Sequence, residues 1–130
     1  MKQKVLVIED NEQNIYLLTF ILEAYGYQVF QARDGAAGVL SAKQVLPDMI
    51  LLDIQLPVMD GYTVARELRK IIELAKTPII AITSYAMPGD RENSLNAGCS
   101  GYIEKPINPD TFINQIKEYM NINGQGGSQT

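Results

Sequence analysis

The sequence predicts an α/β fold, a parallel sheet with helices packed on both faces. Two observations carry this. Short apolar runs, with no polar alternation inside them, end abruptly at polar or charged residues. Between these runs lie segments with apolar residues at helical spacing. Unbroken apolar strands suit a sheet covered on both sides, and alternation of strand with helix means parallel pairing through crossovers.

The elements follow in chain order. Val5 to Ile8 reads as the first strand, closed by Glu9 and Asp10. Asn11 caps a helix in which Ile15, Leu18, Leu22 and Tyr25 share a face, and Gly26 stops it. Gln28 to Ala32 is the second strand. Asp34-Gly35 opens a second helix, with Ala37, Leu40 and Val45 as its apolar residues and Pro47 at its end. Met49 to Leu52 is the third strand and runs into Asp53. Gly61 leads into a third helix with Val64, Leu68, Ile71 and Ala75 on one stripe. Pro78 opens the fourth strand, Ile79 to Ile82, before Thr83-Ser84. The fourth helix, Gly89 to Ala97, is the least amphipathic, with Leu95 its only large apolar residue. Gly101 to Ile103 is the fifth strand, followed by Glu104-Lys105-Pro106. Asn108-Pro109 starts the last helix, which uses Phe112, Ile116 and Tyr119. Residues 121–130 are rich in Gly, Asn and Gln and read as a flexible tail or the start of a linker. Residues 1–120 then form one domain. Right-handed crossovers leave two main topologies, the flavodoxin-like strand order 2-1-3-4-5 and half of a Rossmann fold.

Composition narrows the function. The chain has 130 residues, 46% hydrophobic and 20% charged, with a net charge of −4. That is one globular domain, with no basic cluster for direct nucleic-acid binding. The opening apolar run is too short for a signal peptide or a membrane insertion, so a cytoplasmic protein is expected. The single cysteine, Cys99, excludes an internal disulfide. There is no histidine, which removes His-based triads, His-ligated zinc and histidine general bases.

Chemistry gathers at the strand ends. Glu9 and Asp10 follow the first strand, Asp53 the third, Thr83 the fourth and Lys105 the fifth. Each alone has a plain reading: solvated acids, a turn cap, a loop hydroxyl, a surface lysine. In the order 2-1-3-4-5 they all face one crevice. Three close carboxylates need a compensating cation, and an all-oxygen set suits Mg²⁺. Lys105 adds a point charge able to bind a carboxylate or a phosphoryl oxygen, and carboxylates are known phosphoryl acceptors. The pocket suits phosphoryl transfer to Asp53.

The stretches IEDN (Ile8 to Asn11), LLDIQLPVMDG (Leu51 to Gly61), AITS (Ala81 to Ser84) and GYIEKP (Gly101 to Pro106) together resemble the receiver domain of two-component response regulators. The resemblance is strongest to stand-alone cell-cycle receivers and those attached to hybrid histidine kinases, and spans Lys4 to about Met120. It implies the flavodoxin-like (βα)5 three-layer sandwich with strand order 2-1-3-4-5. It implies that Asp53 accepts a phosphoryl group from a phosphohistidine on a histidine kinase or histidine phosphotransfer protein. Mg²⁺ would be held by Glu9, Asp10, Asp53 and the backbone carbonyl of Gln55. Thr83 and Lys105 would bind phosphoryl oxygens, with the Lys105-Pro106 bond cis. Tyr102 would be the aromatic switch, and Gln55 and Tyr85 would tune hydrolysis. The resemblance implies a downstream protein target and no turnover of an external substrate. The alternatives are the receiver part of a hybrid kinase or larger regulator, a constitutive binding module that keeps the fold without the chemistry, and a haloacid-dehalogenase-type phosphatase. The last wants Asp-x-Asp after the first strand and finds Glu9-Asp10. An FMN binder would need a hydroxyl- and glycine-rich loop there.

Overall fold

The computed structural model describes residues 2–84 and 88–123, with side chains as far as Met120. Five strands alternate with five helices among them: β1 (Lys4–Ile8), α1 (Glu12–Ala24), β2 (Gln28–Ala32), α2 (Gly35–Val45), β3 (Met49–Asp53), α3 (Gly61–Arg69), β4 (Ile79–Thr83), α4 (Asp90–Asn96), β5 (Gly101–Glu104) and α5 (Phe112–Asn123). A 3-10 turn, Ile72–Leu74, follows α3. The strands pair in parallel in the order β2-β1-β3-β4-β5. Of the two topologies left open by the strand and helix pattern, the flavodoxin-like one is present.

Alternation along each strand feeds two cores. In β1, Leu6 and Ile8 join a cluster with Ile50, Leu52, Val64 and Leu68, on the side of α2 and α3. Val5 and Val7 join Leu18, Leu22, Phe112 and Ile116, on the side of α1 and α5. Both faces are covered, which is why β3 and β4 are buried at every position. Among the described residues no helix is long and apolar enough to cross a membrane.

Asn11 caps α1 as expected, and Asp34 and Asp60 cap α2 and α3 in the same way: each accepts a hydrogen bond from the backbone N–H three residues on, at 2.9, 2.8 and 2.9 Å. Gly26 has φ +89°, a left-handed conformation that glycine adopts at little cost.

Several helical faces differ from the expected stripes. Tyr25 and Leu40 are exposed, while Ile21 and Ala42 are buried. Leu95, the one large apolar residue of α4, is also exposed; Ser94 and Ala97 turn inward instead. Helix α3 stops at Arg69, so Ile71 and Ala75 lie beyond it and Leu74 is the residue buried. The cause is Arg69, whose guanidinium donates to the carbonyls of Leu74 and Thr77 at 2.7 Å each and folds the segment back. In α5 the residues after Asn108 first form a turn, with Asp110 N–H on Asn108 Oδ1 at 2.9 Å, and the helix begins at Phe112. It runs on to Asn123, past the boundary expected at Met120, since no glycine interrupts it before Gly124. Cys99 is buried, and burial pushes its thiol up to about 12. It is a packing residue.

Candidate functional site: an acidic crevice at the carboxyl edge

Parallel register levels the acids. Ile8 pairs with Leu52, so Glu9 and Asp53 emerge side by side at the carboxyl ends of β1 and β3. Ligands of open α/β sheets bind at this edge, beside the point where strand order reverses. Carboxylate oxygens of Glu9, Asp10 and Asp53 all lie within 4.8 Å of one another. Glu9 and Asp53 are buried, and Asp10 is exposed.

Each buried carboxylate is held. Glu9 Oε2 accepts from Asn11 N–H at 3.1 Å, and Glu9 N–H donates to Ala32 O at 3.0 Å. Asp53 Oδ1 accepts from Gln55 N–H at 2.9 Å. Lys105 reaches both: its Nζ is 3.1 Å from Glu9 Oε1 and 3.7 Å from Asp53 Oδ2. Burial first, then the Asp53 charge, raises the Glu9 pKa, and Lys105 opposes them.

The frame around the acids is tightly fitted. A Cβ on Gly61 would sit 2.5 Å from Ile54 Cα and 2.7 Å from Asp53 O, so only glycine lets α3 approach the end of β3 this closely. The intervening loop contains a γ-turn, with Met59 N–H on Pro57 O at 2.7 Å and Val58 at φ +66°. Val58 is fully exposed, so a β-branched residue holds a strained conformation without a packing gain. Val58→Asn is therefore expected to stabilise the fold by about 1 kcal/mol, read as a higher urea midpoint at unchanged m-value.

Thr83 is buried at the end of β4, and its carbonyl accepts from Lys105 N–H at 2.8 Å. The Lys105-Pro106 bond is cis. The Gln55 side chain is not free in the crevice: its Oε1 accepts from Ser84 N–H at 3.0 Å, tying the loop after β3 to the end of β4. Tyr102 on β5 is half-buried against the core on the α2 and α3 side, and burial followed by Asp90 raises its pKa. Tyr85 lies outside the described residues. Thus Glu9, Asp10, Asp53 and Lys105 converge directly, Gln55 and Thr83 flank them, and Tyr102 stands one strand away on the packed face. Sequence reasoning gave Lys105 a carboxylate or a phosphoryl oxygen as partner without singling out Glu9. It also missed Gly61 as a contact; Asp-Gly after the loop was visible, but the approach to β3 is tertiary.

The donor set fits a hard divalent cation: all oxygen, mutually close, with one ammonium against three carboxylates.

The fold and this crevice define the response regulator receiver domain, whose family model matches residues 5–117; the chain belongs to that family. It is a signalling switch of the two-component type, controlled by phosphorylation. Receiver domains in general work with histidine kinases and downstream targets. The chain is 42% identical over 120 residues to the polar-differentiation response regulator DivK of Brucella anthropi, covering 92% of this chain and 98% of that protein. Among solved structures it resembles the receiver domain of sensor histidine kinase PA1611 from Pseudomonas aeruginosa PAO1, which has a magnesium ion coordinated in its active-site cleft (37% identity, TM-score 0.85, 93% of this chain and 99% of that one). It also resembles chemotaxis protein CheY4 of Vibrio cholerae (27% identity, TM-score 0.88, 92% and 99%).

Proposed function

We propose that Asp53 is the phosphoryl acceptor of a stand-alone regulator that acts by protein contact. The observation that carries this is the convergence of three carboxylates within 4.8 Å, with Lys105 spanning two of them. The donor is a phosphohistidine on a histidine kinase or histidine phosphotransfer protein, because this chain has no histidine. An Asp53 oxygen attacks phosphorus, the O–P bond forms as the P–N bond breaks, and the leaving imidazole nitrogen keeps the electron pair.

Glu9, Asp10, Asp53 and the Gln55 carbonyl would hold Mg²⁺. When bound, the cation supplies positive charge against the phosphoryl oxygens. Lys105 turns from Glu9 toward the new oxygens, and Thr83 donates to another. The added charge of ~−1.5 to −2 gives both groups a stronger partner than they had. Tyr102 then follows Thr83, which re-presents α4, β5 and α5 to the target. By the family resemblance, Gln55 and Tyr85 tune the lifetime of the acyl phosphate. DivK relatives matched over 98% of their length support a stand-alone regulator over a hybrid-kinase receiver; a cytoplasmic location is part of the same proposal.

The test is acetyl phosphate, and separately beryllofluoride, with Mg²⁺, followed by intact mass and NMR. The native protein should gain one phosphoryl group and shift amides around Thr83 and Tyr102. Asp53→Asn should do neither. Mg²⁺-independent modification, or phosphorylation that survives in Asp53→Asn, would refute the assignment.

A further inference from the structure

The opposite edge of the sheet carries a second surface that the phosphoryl chemistry does not use. Two adjoining grooves, of about 570 and 560 Å³, share Leu46 and Glu73. One runs past Tyr27, Pro47, Pro78 and Met120, at the amino ends of β2, β3 and β4 and along α5. The other runs past Lys43 and Ile71-Ile72.

Two apolar side chains of these grooves stand exposed, and one of them strains the backbone. Ile72 is 85% exposed. Leu46 is 45% exposed and caps α2 at φ 51°, ψ 66°, the left-handed conformation that Gly or Asn fills far more easily. Tyr27 is 8% exposed and lines the first groove, and its hydroxyl has no hydrogen-bond partner among the described residues.

Charge around the grooves runs against the rest of the chain. The protein carries −4 overall, yet Lys43, Lys70, Lys76 and Lys117 line them against Asp48 and Glu73. Asp48 is engaged by Lys4 N–H at 2.7 Å, and Lys70 by Glu67 at 2.8 Å. Lys43, Lys76 and Lys117 make no ion pair among the described residues.

We propose that this edge is a docking surface for a segment of another protein that carries branched apolar side chains next to carboxylates. The apolar anchors pack on Leu46 and Ile72, and Lys43, Lys76 and Lys117 meet the acids. Open grooves with mixed polar and apolar walls and a basic rim suit a segment that sets apolar anchors beside acids. The surface lies at the far edge of the sheet from Asp53, so the segment can stay bound while the crevice is engaged by a kinase.

The probe is a short synthetic peptide of leucine pairs set between glutamates, titrated into isotope-labelled protein and followed by NMR. A control peptide has lysine in place of each glutamate. The acidic peptide should shift the amides of Leu46, Ile72 and Lys76 and leave Asp53 unmoved. Ile72→Ser should weaken it by about tenfold, the loss of one buried apolar anchor. Leu46→Asn should weaken it too while raising the urea midpoint, which separates binding from folding. Equal binding of the lysine peptide, shifts mapping elsewhere, binding only to phosphatidylglycerol vesicles, self-association of the chain, or no binding at all would each overturn the proposal.

Discussion

Arg69→Ala is expected to lower the unfolding free energy by about 3 kcal/mol, measured by urea denaturation. Arg69 sits at the last turn of α3, and its guanidinium ties three separate segments together. Nε donates to Gly98 O at 2.8 Å, Nη1 to Leu74 O and Thr77 O at 2.7 Å, and Nη2 to Ser100 Oγ at 3.3 Å. Hydrogen bonds from a charged donor contribute about 1.5–3 kcal/mol each, and carbonyls left unpaired add to the loss. Water reaches the exposed contact to Ala75 O, so that one should matter least. Lysine cannot reproduce the planar fork, so Arg69→Lys should recover less than half of the stability. The consequence is local as well. Gly98 and Ser100 lie between α4 and β5, the elements assigned to the switch, and Ser100 Oγ also accepts from Ile79 N–H at 3.2 Å. Amide hydrogen exchange should therefore rise first at Gly98 to Ser100. A loss below about 1 kcal/mol, with no local change in exchange, would mean that solvent replaces the guanidinium fully.

Much of this architecture was legible from residue order. Strands with no polar alternation, closed by Glu9, Asp53, Thr83 and Lys105, carry both the sheet and the place of the site, because parallel strands deliver their carboxyl ends to one edge. The cap at Asn11 was legible because it acts on its own backbone three residues on, whereas Asn108, read as the cap of the last helix, closes a turn ahead of Phe112 instead. What depends on tertiary contact was not. Helix α3 ends where a single arginine finds carbonyls up to eight residues ahead and across on Gly98; periodicity continues through that point and signals nothing. The exposure of Leu40 and Leu95 depends on which flank of each helix the sheet covers, and both lie at its edge. Gly61 was visible as part of an Asp-Gly step, but its approach to Asp53 O was not. The pairing of Lys105 with Glu9 was hidden because sequence separates them by nearly the whole domain; only the β1-β3-β4-β5 neighbourhood brings them to 3.1 Å.

That pairing makes Lys105→Met the second large effect. Lys105, Glu9 and Asp53 side chains are all largely buried, at 12%, 2% and 3% exposure. Removing the ammonium leaves two buried carboxylates facing each other, and breaking such an arrangement costs about 3–5 kcal/mol. The loss should depend on pH, and Glu9 sets the sign. Its pKa in the folded protein stands above the ordinary 4.5, through burial and then Asp53, with Lys105 pulling it back. A carboxyl group that holds its proton more tightly when folded contributes stability that is complete below the unfolded value and is lost as pH rises through the folded one. Without Lys105 the folded value rises further. The stability of Lys105→Met should therefore fall more steeply than that of the native protein as pH climbs above 4.5. The deficit should be smaller near about pH 5 than near about pH 8. Mg²⁺ should restore more stability to the variant than to the native protein, since it offers the same two carboxylates a replacement charge. Urea curves at the two pH values, with Mg²⁺ and with EDTA, read all of this. An equal deficit in all four conditions would assign Lys105 a packing role alone. Its charge would then have no part in holding the crevice ready for a phosphoryl group.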